Sequence, residues 1–393
     1  MHEDHEPGLP WSALLALASA GFVTILTEAL PAGLLTQVSE GMGVSEAWAG
    51  QLVTVYALGS LLAAIPVTLA TQGMRRRPLL LWAIAGFGLA NGVTAWAKHP
   101  IWTLAARGVG GVSAGLLWAL IAGHAARMVP ARLQGRAISI AMAGTPLALS
   151  LGIPLGTFMG QVLGWRTCFW MMTALTLVLL VWVRMAVPDF AGQVVRRRGA
   201  LSEVLRLPGV RPVLAATLAF VLAHNILYTY IVPILRAAGQ AEQTGVALGV
   251  FGVLSLVGIA VVGVWVDRWL RPLTLASTAL FGVSACLLWA GSESAWVVYG
   301  AVGLWGLAFG GAATLFQTAL VRAAGAQADV AQSMLVTAWN LAIGGGGLLG
   351  GLLLTTGDVR HLSMVALALL ASTWWVVWGT RARGFGLSTQ AGG

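Results

Sequence analysis

The 393-residue sequence predicts an all-α membrane protein of twelve transmembrane helices, arranged as two pseudo-symmetric six-helix halves. Three observations carry that prediction. Hydrophobic residues make up 58% of the chain and charged ones 9%, with mean hydropathy +0.85, a balance that no soluble fold can bury. Apolar runs recur from Trp11 almost to Trp378, whereas a secretory peptide or a single anchor would concentrate them at one end. The longest polar break, Pro188 to Pro208, falls in the middle and carries Arg196, Arg197 and Arg198. Soluble enzymes, DNA-binding modules, coiled coils and disordered scaffolds are set aside, and the pI near 10.9 is read as membrane topology rather than nucleic-acid binding.

Cutting the chain at polar and Pro- or Gly-marked breaks into runs of about 20 apolar residues places helices near 11–36, 47–72, 78–97, 101–127, 136–163, 166–187, 210–236, 243–267, 272–291, 295–321, 330–356 and 360–379. Gln72 to Arg77 separates the second from the third, Lys98 to Pro100 the third from the fourth, and Gly164-Trp165 the fifth from the sixth. In the second half Asp267 to Pro272 divides the eighth from the ninth. The expected domains are residues 1–187, a cytoplasmic linker 188–208, and residues 209–393 ending in a short cytoplasmic tail.

Sorting the basic residues gives the orientation. With the N-terminus inside, Arg75 to Arg77, Arg127, Arg132, Arg136, Arg184, Arg196 to Arg198, Arg206, Arg211, Arg268, Arg271, Arg322, Arg381 and Arg383 fall on the inner side. Only Lys98, Arg166, Arg236 and Arg360 fall outside, and Arg107 stays within a helix. The positive-inside rule then puts both termini in the cytoplasm, and a bacterial inner membrane is expected. Trp48, Trp82, Trp102, Trp165, Trp269 and Trp296 sit near helix ends, where an interfacial belt belongs. The halves echo each other: the second helix ends in Met74-Arg75-Arg76-Arg77-Pro78 and the eighth in Asp267-Arg268-Trp269-Leu270-Arg271-Pro272. A six-helix repeat of this kind is common in secondary transporters, whose substrate site lies between the halves.

Glycine supplies 51 residues, well above the average of about 7%, and recurs at helical spacing. Gly152, Gly156 and Gly160, with Pro154, stripe predicted helix 5, and Gly111 and Gly115 do the same on helix 4. Such stripes let backbones approach; tight packing is the plainer reading, and sliding or bending of helices during transport the sharper one. Cys168 and Cys286 lie within apolar runs and read as small packing residues, with no metal-ligand set and no disulfide framework.

These residues resemble the major facilitator superfamily. Arg107-Gly108-Val109-Gly110-Gly111-Val112-Ser113-Ala114-Gly115 is similar to the helix 4 motif that the drug:proton antiporter branch associates with proton coupling. Leu151-Gly152-Ile153-Pro154-Leu155-Gly156, running on to Leu163-Gly164-Trp165-Arg166, resembles helix 5 of exporters for sugars, purine ribonucleosides and chloramphenicol. Thr27-Glu28-Ala29-Leu30-Pro31 and Ala49-Gly50-Gln51-Leu52-Val53-Thr54 are similar to the same branch. The family's loop between helices 2 and 3 carries Gly-x-Leu-Ala-Asp-Arg-x-Gly-Arg-Arg; here Gln72 stands where the aspartate falls, and Ile153 stands where the antiporter helix 5 motif has glycine. The second-half copy keeps its acid, as Gly263-Val264-Trp265-Val266-Asp267-Arg268. The resemblance implies the major facilitator fold, with gating at Gln72, Arg76, Asp267 and Arg268.

Of the 13 acidic residues only Glu28 lies well inside a predicted helix. A carboxylate at that depth is costly unless it is neutral, paired or facing water, which makes Glu28 the candidate proton carrier; the alternative is a structural glutamate that never titrates. At 1.5 Å per residue, Glu28 lies roughly 12 Å and Arg107 roughly 9 Å below the outer helix ends. Contact is therefore possible, either as a coupling pair or as a static one, or with Arg107 bonded to backbone carbonyls. The second half is expected to hold no buried acid. His224, Asn225, Tyr228, Gln317 and Asn340 are its candidate substrate-binding groups, each also readable as a helix-to-helix contact.

Lys98 is the only lysine, so no nucleotide-binding Gly-x-x-x-x-Gly-Lys-Ser/Thr loop exists and energy must come from a gradient or from substrate flow. The expected function is proton-coupled export of a small uncharged or amphipathic compound, such as a drug, sugar or nucleoside-like molecule, by alternating access. A proton-coupled importer is the near alternative, and an uncoupled facilitator or a membrane-embedded receptor the more distant ones. No catalytic cluster for a membrane enzyme is visible. Expected partners are a small-molecule substrate, protons and lipid, with no nucleic acid, no metal and no cofactor, in a monomer.

Overall fold

The computed structural model describes residues 8–192, 200–240, 243–290, 294–356, 358–380 and 384–385, and no strand occurs among them. The Arg196 to Arg198 run, Arg381 and Arg383 lie outside the described residues. In the first half the chain runs through α1 (Trp11–Gly33), α2 (Leu35–Met42), α3 (Glu46–Ala70), α4 (Arg76–Trp96), α5 (Pro100–Arg127), α6 (Gln134–Met142), α7 (Gly144–Leu147), α8 (Ile153–Leu163) and α9 (Trp165–Ala186). A short α10 (Ala200–Arg206) follows. The second half contains α11 (Val210–Thr229), α12 (Ile231–Ala237), α13 (Thr244–Ala290), α14 (Ala295–Gly310), α15 (Ala312–Ala324), α16 (Ala328–Thr356) and α17 (Arg360–Gly379).

Ten helical stretches among the described residues are long and apolar enough to cross a membrane. Two of these, Thr244–Ala290 with 47 residues and Ala295–Thr355 with 61, exceed what one crossing of about 30 Å needs. Each has room for two passes, which fits twelve crossings in all.

Several predicted helices are broken inside. Pro233 follows the break at Tyr230 (φ −111°, ψ 27°), as expected because proline removes a ladder donor and clashes with the preceding turn; the break at Leu34 (φ −115°, ψ 17°) falls three residues after Pro31, which lies inside α1. α13 joins the eighth and ninth predicted helices without a gap; its kink is at Trp269 (φ −125°, ψ 31°), three residues before Pro272. Between α7 and α8, Ala148–Gly152 forms a turn of π-helix ahead of Pro154.

The buried apolar residues form two clusters, one built on α1 to α9 and one on α11 to α17. Within each cluster helices meet where glycine replaces a side chain. A Cβ on Gly115 would lie 2.6 Å from the Ser60 carbonyl oxygen, and one on Gly111 would fall on the Tyr56 carbonyl, so α5 lies directly on the α3 backbone. The second half repeats this contact, with Gly306 and Gly310 of α14 against the Phe251 and Ser255 carbonyls. Gly152, Gly156 and Gly160 receive Phe22, Leu30 and Leu34 of the first predicted helix. Cys168 is buried with its thiol donating to the Gly156 carbonyl (3.5 Å), whereas Cys286 is exposed rather than packed.

The belt residues Trp82, Trp102 and Trp296 are 71%, 62% and 85% exposed, as lipid-facing rings should be, but Trp165 is buried at 6%. It packs edge-on against Phe169 and under Gly41. The two clusters interlock at one end of the bundle, the end carrying Arg75 to Arg77 and Arg268 to Arg271. There Ile259, Val321 and Ala328 join the first cluster, and Ile65 and Leu69 pack on the second.

Candidate functional site

The packing of α1, α3, α4 and α5 encloses a polar node around Arg107. This side chain is fully buried and directs its nitrogens to backbone: Nε donates to Leu52 O at 3.0 Å, Nη1 to Thr27 O at 2.6 Å and Nη2 to Glu28 O at 3.1 Å. The Thr27 carbonyl is available because its helical donor would be the N–H of residue 31, which is proline. The guanidinium also lies 4.6 Å from the centre of the Tyr56 ring, whose hydroxyl donates to Thr24 O (3.2 Å). Asn91 Nδ2 donates to Thr27 Oγ1 (3.0 Å) and ties α4 to the same node. Glu28 is half-buried beside it, and no hydrogen bond to its carboxylate occurs among the described residues. The two residues expected in proton coupling are thus neighbours, with the arginine on the glutamate's backbone rather than on its carboxylate.

In the second half His224 of α11 sits among aromatic rings from α11, α13 and α14. Trp305 Nε1 donates to His224 Nδ1 at 3.1 Å, and Phe309 and Tyr228 stack on the imidazole. Asn225 and Asn340 donate their amides to carbonyls of their own helices, Val221 and Val336. Gln317, expected to meet substrate, instead lies in the interface between the halves: it is 6% exposed and its Nε2 donates to Met142 Sδ at 3.2 Å.

The interlocked basic end holds the third group. Asp267, at the kink of α13, accepts the backbone N–H groups of Gly135 (2.6 Å) and Arg136 (2.9 Å) at the start of α6, and Arg322 Nη2 reaches the same carboxylate (2.9 Å). A negative charge at a helix N-terminus satisfies open donors and complements the positive end of the helix dipole. Arg268 is exposed over the Trp269 ring and makes no polar contact across the halves among the described residues. On the other side Asp329, which opens α16, lies 3.0 Å from Arg76 Nε and 2.9 Å from Arg127 Nη2. The Gln72 side chain takes no part in this pairing; its backbone carbonyl accepts from Arg76 Nη2 (3.1 Å).

The second half therefore does hold a buried acid, contrary to expectation. Asp329 is 0% exposed, because α4 and α5 of the other half close over it. Polar contacts between the halves include these, together with Ser139 to Ile259 O and the Gln317 to Met142 pair. They lie toward the basic end, which is closed.

The start of the expected linker is anchored here as well. Phe190 O accepts from Arg76 N (2.9 Å), and the buried His124 meets Pro188 O (3.0 Å). Asp189 accepts from Arg75 Nε and from the Arg77 N–H. Burial acts to raise the proton affinity of Asp189, but these hydrogen bonds and the charges of both arginines outweigh it and hold the carboxyl below its ordinary range.

Sequence reasoning missed Asp329, Arg127, Trp305 and Phe309. One available signal was Gln72: a gate that has lost one acid needs another, and Asp329 is the acid at the matching end of the eleventh predicted helix.

Comparison with known proteins fits this architecture. A family model described as Major Facilitator Superfamily matches residues 17–347. A chloramphenicol efflux pump of Mycobacterium tuberculosis is 31% identical over 360 residues, covering 88% of this chain and 87% of that one. A purine ribonucleoside efflux pump of Escherichia coli is 28% identical over 344 residues, with 87% of each covered. Among solved structures, the proton:xylose symporter XylE aligns with TM-score 0.78 at 14% identity, over 96% of this chain and 98% of that one. A human organic anion transporter aligns with TM-score 0.76 at 15% identity, over 94% and 98%.

Proposed function

The chain belongs to the major facilitator superfamily, and from that premise we propose that it is a proton-coupled exporter of a small uncharged or amphipathic compound. It works by alternating access in a bacterial cytoplasmic membrane, with the basic end and both termini on the cytoplasmic side. Among relatives, efflux of chloramphenicol and of purine ribonucleosides supports the direction.

The observation that carries proton coupling is the carboxylate of Glu28. It is half-buried at mid-helix with no hydrogen bond among the described residues, beside an arginine whose donors are already held by backbone. A carboxylate so placed takes up a proton without first breaking a structural hydrogen bond. With the cytoplasmic side closed by Asp329 and Asp267, Glu28 takes its proton from the outer side, and substrate leaves by the same route. Opening the cytoplasmic side requires the Arg76 and Arg127 contacts to Asp329 and the Asp267 contacts to α6 to separate. Arg107 keeps α1 and α3 together throughout, so the half moves as one body.

The test is proton-gradient-driven uptake of radiolabelled chloramphenicol and adenosine into inverted vesicles. The parent chain accumulates one of them, and Glu28→Gln, which keeps the shape and removes the titration, does not. Wild-type uptake and pH dependence in the mutant would remove Glu28 from the mechanism.

A further inference from the structure

The aromatic group around His224 has a feature that packing alone leaves unexplained. His224 is 7% exposed, and its ring lies between Phe309 (centroids 3.5 Å apart, planes at 9°) and Tyr228 (5.1 Å, 22°). The indole N–H of Trp305 can only donate, so His224 Nδ1 must be the acceptor of their 3.1 Å hydrogen bond. The proton of the neutral imidazole is thereby fixed on Nε2. That N–H has no hydrogen-bond partner among the described residues. A donor held in one tautomer on a ring that is otherwise packed between aromatic neighbours, and not itself sealed off, is placed to meet an acceptor atom of a ligand.

The groups nearby define what the ligand offers. Asn225 Nδ2 donates to Val221 O (2.8 Å) and Asn340 Nδ2 to Val336 O (2.9 Å). A carbonyl cannot donate, so each amide must turn its nitrogen to its own helix and its oxygen away, as an acceptor. Tyr228 is 39% exposed, and Phe309 and Trp339, with centroids 6.2 Å apart, are half-buried, so aromatic faces remain open. α14 has no charged residue, and α11 and α16 have only Arg211 and Asp329, at their basic ends.

We infer that this group binds a planar, uncharged aromatic or heteroaromatic ring of the transported compound. A ring or ring-attached acceptor takes the His224 Nε2–H, hydroxyl or amine donors on the rest of the molecule meet Asn225 and Asn340, and the ring stacks on Tyr228 or Trp339. This names the substrate class of the exporter and rests on that reading, but its test needs no proton gradient.

Binding of adenosine, chloramphenicol and xylose to the purified full chain in detergent at neutral pH is followed by calorimetry and by tryptophan fluorescence. At least one of the two aromatic probes binds saturably and quenches tryptophan, and xylose does not. His224→Phe, which keeps a ring and loses the donor, weakens that binding about tenfold. His224→Gln, which keeps an N–H donor, recovers part of the loss, and Trp305→Phe, which releases the tautomer, weakens binding with His224 intact; helical circular dichroism verifies that each variant is folded. Absence of saturable binding by both aromatic probes, xylose bound as well as they are, or unchanged affinity in folded His224→Phe and Trp305→Phe would overturn the inference. Aromatic binding without gradient-driven movement in vesicles would instead overturn the exporter reading and leave this one standing.

Discussion

Arg76 Nε lies 3.0 Å from Asp329 Oδ2, and neither side chain is exposed to solvent. The two halves are thus joined by a charge pair that water does not reach, reinforced by Arg127 on the same carboxylate oxygen. A second joint, Asp267 on the start of α6, uses a carboxylate against backbone N–H groups instead. In the family pattern each half contributes one acid to the gate; here the first half has Gln72, and the acid facing Arg76 comes from the other half.

Asp329→Asn is therefore expected to open the cytoplasmic side. Removing one partner of a buried pair leaves an uncompensated charge, a cost of about 3 kcal/mol or more, and hence a shift of roughly a hundredfold toward the open state. The measurement is labelling of Met142→Cys by a membrane-impermeant maleimide in inside-out vesicles, with Cys168 and Cys286 replaced by alanine. Adding Gln72→Asp returns an acid to the side of Arg76, whose guanidinium already touches the backbone of residue 72, and should restore part of the protection. Equal labelling of parent and Asp329→Asn would count against the gate.

Asp267→Asn acts in the same direction with a smaller effect. The oxygen that accepts from Gly135 or Arg136 survives in part, while the charge that strengthens both bonds is lost, worth about 1.5 kcal/mol or about tenfold in the open-to-closed ratio. The same maleimide assay should rank the variants Asp329→Asn above Asp267→Asn above parent. A reversed ranking would show that the helix cap, not the buried pair, dominates closure.

Gly111→Val places a side chain on the Tyr56 carbonyl, a backbone atom that cannot rotate away. Forcing α5 off α3 also pulls Arg107 from Leu52 O. Overpacking of this kind costs about 1 to 3 kcal/mol, seen as a lower melting temperature in detergent. Gly282→Ala, where a Cβ meets nothing within 4 Å, serves as the control and should melt with the parent.

Much of this was legible in the sequence because lipid imposes it. Runs of apolar residues, the basic turns after residues 74 and 267, and the glycine stripes each follow from local spacing. The breaks at Leu34 and Tyr230 were less so: a proline signals a bend, but which residue leaves the helix depends on what packs there. Asp329 was not legible as a buried group. At the start of a helix an acid reads as a solvated dipole partner, and its burial is made by Arg76 and Arg127, more than 200 residues away. The same holds for His224, whose donor Trp305 lies 81 positions on. Arg107 was legible in depth, and bonding to backbone carbonyls was one of its readings, but the choice among them was not legible, since the Leu52, Thr27 and Glu28 carbonyls converge on it only once α1 and α3 are placed beside α5.

The central claim, that proton and substrate oppose each other through Glu28, is tested most directly by binding as a function of pH. Adenosine and chloramphenicol are titrated onto the purified parent chain and onto Glu28→Gln from about pH 5.5 to about pH 8.5. Because coupling is reciprocal, the account predicts that whichever probe binds does so more tightly as pH rises, by up to about tenfold per unit, and that Glu28→Gln flattens the profile. Affinity that rises on acidification, or a parent profile already flat, would contradict it.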